Sequence, residues 1–332
     1  MKKIAISLML SLCMLATAGA AEITSLIPIG HTVGIKMNAE GVLVVRLTEV
    51  QTGSGAVCPA RSAGLNEGDM IVRVGGTAID SNDSLQKQIA LSAGHPVEME
   101  IVRSGASQTL TVTPCADKKG VYRIGVLARD SMAGIGTLTY VDPETGAYGS
   151  LGHGICDSET GVLLPLRDGS LLYSTVGSVQ RGKAGEPGAL QGEFAADTEV
   201  GTVRENTESG IFGILTDKTL YDRLESVPVA AAGEVQLGEA EIWSNVEGDT
   251  VQRYSVQVIK LYPADDEYGR GMMLRVTDRA LLDKTGGIVQ GMSGSPVLQN
   301  GKIIGAVTHV LVNDPTCGYA INIEKMLEEM TN

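Results

Sequence analysis

The residues with the clearest chemical promise lie near the C-terminus. The run Gly291-Met292-Ser293-Gly294-Ser295-Pro296 stands directly before two apolar segments joined by Asn300-Gly301. A serine between glycines on a tight turn can expose its hydroxyl. The same turn can aim successive backbone N–H groups at one point. Acyl transfer needs both, a reachable nucleophile and donors for the developing oxyanion. Ser293 is therefore the candidate nucleophile. A serine hydroxyl is inert near neutral pH without a base, and the chain has four histidines. His31 and His95 fall before and within a separate N-terminal region. His153, in Gly152-His153-Gly154, has no bulky neighbour on either side. It is the expected base, and His309 is the fallback. Neither Cys156 nor Cys317 sits in a turn of this kind, which argues against a cysteine nucleophile. No HExxH or comparable cluster is present, so neither a metal nor a cofactor is expected.

The elements that must position these groups are mostly strands. The chain has 332 residues, enough for two domains. It is 43% hydrophobic and carries 42 glycines but only two phenylalanines and one tryptophan. Many glycines with β-branched runs and few aromatics point to short strands joined by tight turns. Asn300-Gly301 is a type I′ hairpin signal. In the first half, residues 41–45, 70–74, 97–103 and 109–112 read as strands. Gly75-Gly76 reads as a hairpin turn. A helix capped by Asn82 or Asp83 runs through Leu85, Gln86, Ile89 and Ala90. Strands are also expected at residues 202–207 and 251–258, and a short helix at 324–330.

The N-terminus reads as an export signal. Lys2 and Lys3 precede an apolar run, Ile4 to Leu15, and small residues follow to Ala21. The run is shorter than the roughly 20 apolar residues of a spanning helix, so residues 1–21 are expected to be a signal peptide, with an uncleaved anchor as the alternative. The formal net charge of −13 excludes a nucleic-acid partner, because phosphate binding needs a basic face. Outside the signal, Cys58, Cys115, Cys156 and Cys317 could pair in three ways or stay free.

Two family resemblances follow from quoted stretches. Pro59-Ala60-Arg61-Ser62-Ala63-Gly64-Leu65-Asn66-Glu67-Gly68-Asp69-Met70-Ile71 resembles the signature of bacterial PDZ domains. It implies a peptide C-terminus, or a segment of the chain itself, added as an extra strand. By position, Val33, Gly34, Ile35 and Lys36 would receive it, and Leu85 and Ile89 would line the side-chain pocket. The segment around Ser293 resembles the nucleophile loop and following hairpin of chymotrypsin-like serine proteases. That resemblance puts the oxyanion hole on the N–H groups of Gly291 and Ser293, and leaves Ser295 a loop hydrogen bond.

Together, the GSLGHGICD segment around His153, the run from Gly287 through the Gly318-Tyr319 pair, and the preceding PDZ signature resemble the SpoIVB family of sporulation serine peptidases. The resemblance implies a mainly β fold: a PDZ domain (24–115) followed by a trypsin-like double β-barrel (116–332). It implies His153 as base, Asp278 as orienting acid and Ser293 as nucleophile. Asp278 lies only 15 residues before Ser293, far closer than in chymotrypsin-like enzymes; a cap for the Ala280-Leu281-Leu282 turn is its other reading, and Asp157 is the rival acid. The resemblance further implies secretion into the space between the membranes around a forespore. There the enzyme would cleave a membrane-bound regulator, and itself, to start intramembrane activation of a sigma factor. A PDZ scaffold with an inactive protease-like domain is the competing expectation.

Overall fold

The computed structural model describes residues 23–330, so the expected signal, with Cys13, lies outside the described residues. Alternation builds most of the strands. In β-strand Gln252–Leu261, Tyr254, Val256 and Val258 point inward while Arg253, Ser255 and Gln257 face water.

In chain order the elements that matter are β1 (Ser25–Pro28), β2 (Thr32–Leu47), β3 (Met70–Val74), α1 (Asn82–Leu91), β4 (Val97–Arg103), β5 (Ala106–Val112), β6 (Val126–Val141), β7 (Ala147–Ser150), β8 (Leu166–Gln180), β9 (Ala189–Thr207) and β10 (Gly210–Leu215). There follow β11 (Gly238–Ser244), β12 (Gln252–Leu261), β13 (Met272–Val276), α2 (Arg279–Thr285), β14 (Pro296–Gln299), β15 (Lys302–Val310), β16 (Cys317–Asn322) and α3 (Ile323–Met330).

Two six-stranded barrels result. The first closes through β2, β6, β7, β10, β9 and β8, with β2 pairing to both β6 and β8. Its core holds Val33, Ile35, Met37, Leu138, Tyr148, Leu171 and Ile211. The second closes through β11, β12, β13, β16, β15 and β14 around Ile242, Val256, Leu274, Val297, Ile304 and Val307. A third core, with Val44, Leu65, Ile71, Leu85, Ile89, Met99, Ile101 and Val112, belongs to the PDZ module. Ile323 and Met326 of α3 are buried with Leu26 of β1, Tyr140 and Phe212 of the first barrel and Ile303 and Ile321 of the second.

The PDZ module comes before most of the first barrel in the chain, as expected, and is inserted between its strands β2 and β6. β2 begins in the barrel and ends in the PDZ module, where Val42 and Leu43 pair with β3. β6 makes the return trip and stays paired with β2 from Val126↔Leu47 to Thr137↔Thr32. The start of β2, with Val33, Ile35 and Met37, packs in the first barrel, and the PDZ core takes up from Val42. Two local readings also change. Ser81, not Asn82 or Asp83, caps α1, in a capping box with Ser84. The four cysteines carry free thiols, with Cys58 and Cys317 buried and Cys156 exposed. No described helix is long and apolar enough to cross a membrane.

Candidate active site

The nucleophile turn hangs between the two barrels. Asn300 and Gly301 adopt the positive φ values, 53° and 74°, that a type I′ turn requires. They set β14 against β15 and place the Ser293 turn at the barrel seam. Two hydrogen bonds from the first barrel hold that turn. Thr137 on β6 donates its N–H to the Ser293 carbonyl (2.9 Å) and its Oγ1 hydroxyl to the Gly291 carbonyl (2.7 Å). Gly294 has φ +96°, and a Cβ there would overlap the Thr137 carbonyl and lie 2.6 Å from the Leu151 nitrogen. Only glycine fits this crossing.

With their carbonyls held in this way, Gly291 and Ser293 have N–H groups that take no acceptor among the described residues. Two free donors flanking one serine are what an oxyanion hole requires. Ser295 is fully buried; its hydroxyl has no partner among the described residues, and its loop hydrogen bond runs from its N–H to the Met292 carbonyl (2.9 Å).

His153 lines the same 710 Å³ cleft as Ser293, together with His309 and the Ser131–Ile135 stretch of β6. Its Nδ1–H donates to the Gly154 carbonyl at 2.9 Å. A carbonyl only accepts, so this bond places the proton on Nδ1 and leaves the Nε2 lone pair free to take a proton. Burial pushes the imidazole below the ordinary histidine range, and the Gly154 carbonyl pulls it partly back. The flanking glycines also let the backbone pack close. A Cβ on Gly154 would collide with Leu163 and sit 2.5 Å from the Thr207 carbonyl, and one on Gly152 would sit 2.9 Å from Thr308 and Ile321.

The His309 ring lies 4.8 Å from that of His153, tilted by 36°. Burial, then the charge of His153, holds His309 below the ordinary range as well. The Ser293 hydroxyl donates to the Thr308 carbonyl at 2.6 Å, a resting bond it must give up to reach an imidazole. The structure thus brings Ser293, His153 and His309 to one cleft.

Asp278 is not brought there. It is the N-cap of α2: its carboxylate accepts from the Leu281 N–H (3.0 Å) and the Ser255 N–H (3.5 Å). Asp278 is not among the residues lining the cleft. The expectation that it orients His153 is corrected to a helix cap, because the adjacent Ala280-Leu281-Leu282 turn has first claim on the carboxylate. Asp157, the rival, is buried and bonded to Arg129, the Thr160 hydroxyl and the N–H groups of Glu159 and Thr160. In this arrangement the Gly154 carbonyl does the tautomer-fixing that a carboxylate does in a triad.

The expected PDZ receptor strand is also corrected. Val33, Gly34, Ile35 and Lys36 pair with β6 on one side and β8 on the other, so they offer no open edge. Gly34 is needed for contact with Phe194, whose Cγ would lie 2.6 Å from a Cβ there. Leu85 and Ile89 are core residues of the PDZ module and also line a groove beside α1. Cys156 faces the cleft, but burial pushes its thiol up, away from the thiolate.

Two closed barrels with a serine turn and a histidine at their seam, carrying an inserted PDZ module, define a PDZ-bearing serine peptidase. The sequence matches the SpoIVB peptidase S55 family over residues 120–327 and the PDZ domain over residues 32–113, and the chain belongs to the SpoIVB peptidase S55 family. Two curated relatives share shorter stretches. One, a candidate zinc metalloprotease of Clostridium perfringens, is 35% identical over 68 residues, 20% of each chain. The other, of the same description from Lactococcus lactis, is 41% identical over 69 residues, 21% of this chain and 16% of its own. The chain thus spans a fifth or less of these relatives. Among the described residues no group of three or more His, Cys, Asp or Glu could hold a metal. Among solved structures, the PDZ domain of an SdrC-like protein of Listeria monocytogenes is 23% identical, with a TM-score of 0.22, covering 27% of this chain and 87% of that one. The active form of the Rv3671c protease of M. tuberculosis is 14% identical, with a TM-score of 0.34, covering 60% and 74%.

Proposed function

We propose that this chain is an exported serine endopeptidase of sporulation signalling. It acts between the membranes around the forespore, or at the outer face of a membrane if the N-terminal segment is retained. It cleaves a membrane-associated regulatory protein, and itself, and so releases intramembrane proteolysis of a sigma-factor precursor. The family supports the sporulation role, and the N-terminal pattern of residues 1–21 supports export.

The chemistry rests on one observation, the meeting of Ser293, His153 and two unbonded N–H groups in one cleft. Ser293 Oγ leaves the Thr308 carbonyl, passes its proton to the histidine and attacks the scissile carbonyl. The N–H groups of Gly291 and Ser293 receive the oxyanion. The protonated imidazole then returns its proton to the leaving amine, and water repeats the sequence to release the acyl group.

A fluorophosphonate probe tests the reading. Labelling of the wild type that disappears in Ser293→Ala is expected. Labelling that survives the substitution removes Ser293 as nucleophile, and a wild type that never labels is a scaffold rather than an enzyme. The regulator is tested by adding the purified peptidase to forespore membrane proteins and following which one is cut.

A further inference from the structure

One strand joins the PDZ module to the nucleophile. β6 pairs with β2 from Val126 to Thr137. On its other side, pairing begins only at Leu138, with β7. Between Val126 and Thr137 the outer edge of β6 has no strand beside it among the described residues.

Each end of this open edge meets something suited to a polypeptide. At its start lies a groove of about 630 Å³ between Leu85, Gln86 and Ile89 of α1 and the stretch Ile124–Val126 with Ala128. The carbonyls of Ile124 and Gly125 are taken by the N–H groups of Ala60 (2.7 Å) and Thr48 (2.9 Å). Their own N–H groups donate to nothing among the described residues. Lys118, Lys119 and Arg123 line the same groove; so do Glu49, Asp83 and Asp117, the last paired with Arg123, so the ligand is selected by the adjacent free N–H groups rather than by net charge. At the other end the edge forms a wall of the active-site cleft at Ser131–Ile135 and finishes on Thr137, which holds the Ser293 carbonyl.

We propose that this edge is one continuous substrate track. The free C-terminal segment of a polypeptide adds antiparallel to β6, its carboxylate on the N–H groups of Ile124 and Gly125, and its chain reaches Ser293 about ten residues upstream at roughly 3.3 Å per residue. The inference rests on the serine-peptidase reading of the cleft. Direction and geometry agree: antiparallel addition puts the incoming C-terminus at the N-terminal end of β6, where the free donors are. Irregularities in the β2–β6 register at Leu127/Ala128 and Arg129/Ser131 turn the edge from groove to cleft. Asp130 accepts from the Asn82 N–H at the tip of α1 (2.8 Å), where the track leaves the helix. The bond broken is a peptide bond. Water supplies hydroxyl to the acyl carbon and a proton to the amine of the released C-terminal tail. The enzyme therefore measures its cut from a free C-terminus.

The test uses two synthetic peptide libraries of equal sequence, one with free C-terminal carboxylates and one amidated. Each is incubated with the wild-type chain and with Ser293→Ala, and cut sites are mapped by mass spectrometry. The expected result is Ser293-dependent cutting clustered about ten residues from the free C-terminus. Amidation should weaken it about tenfold or more, since a charged acceptor is lost. Sites scattered at all distances from the C-terminus, or equal cutting of the amidated library, overturn the track while leaving the peptidase intact. No Ser293-dependent cutting of either library overturns the peptidase reading and the track with it.

Discussion

Asp278 offers the sharpest test, because its two readings differ by orders of magnitude. As the N-cap of α2 it holds the Leu281 N–H at 3.0 Å. Removing such a cap costs about 1 kcal/mol, within roughly 0.5–2. In a chain of this size that lowers Tm by roughly 2–4 °C. α2 runs into Gly286, whose N–H bonds Leu282, and on to the Ser293 turn, so Asp278→Ala should also reduce kcat modestly by loosening that approach. Asn and Ser cap a helix about as well as Asp. Asp278→Asn and Asp278→Ser should therefore restore both Tm and kcat. A triad acid behaves otherwise: its amide loses about 10⁴ in kcat, roughly 5.5 kcal/mol of transition-state stabilisation, with the fold intact. Melting curves and kcat are measured on the three variants and the wild type. If Asp278→Asn melts like the wild type yet loses 10³-fold or more in kcat, the cap assignment is refuted and Asp278 reaches His153 during turnover.

Other outcomes follow from the same geometry. Gly294→Ala forces a side chain against the Thr137 carbonyl at φ +96°; about 1–3 kcal/mol of strain is expected in denaturant titration, with probe labelling lost. Thr137→Val deletes the bond to the Gly291 carbonyl and should cost about 1 kcal/mol in kcat/KM, with smaller effects on Tm. Because burial lowers His153 from an ordinary 6.5, the base stays neutral below that value, so the acid limb of kcat/KM should fall below pH 6.5; a limb at or above 6.5 contradicts the burial. Buried His31, whose Nε2 has no partner among the described residues, and His153 are both depressed. The unfolded chain then binds more protons below pH 6.5, so stability should fall as pH drops from 6.5 toward the folded values. Urea midpoints compared at pH 7.5 and 5.5 decide it.

What could be read in advance was what is local. The Ser293 turn, the Asn300-Gly301 hairpin and the run from Pro59 to Ile71 each declare themselves within a few residues, since turn chemistry depends on φ and on neighbouring atoms. His153 was legible from its small neighbours, although sequence does not show the Thr207 carbonyl against which Gly154 packs. Val33–Lys36 misled because their position relative to the PDZ signature says nothing about which strands lie on each edge. The His153–His309 ring contact joins residues from different barrels and leaves no trace in spacing. Asp278 had two plausible employments, and only the position of the Leu281 N–H separates them.

The insertion of the PDZ module into β2 and β6 makes it impossible to shed. A peptidase with an end-to-end accessory domain can be switched by trimming that domain away. Here, trimming from the N-terminus as far as residue 115 would remove β1 and all of β2, which pairs with both β6 and β8 in the first barrel. The module therefore stays woven into the catalytic barrel. N-terminal trimming that leaves the first barrel whole has to stop before β2.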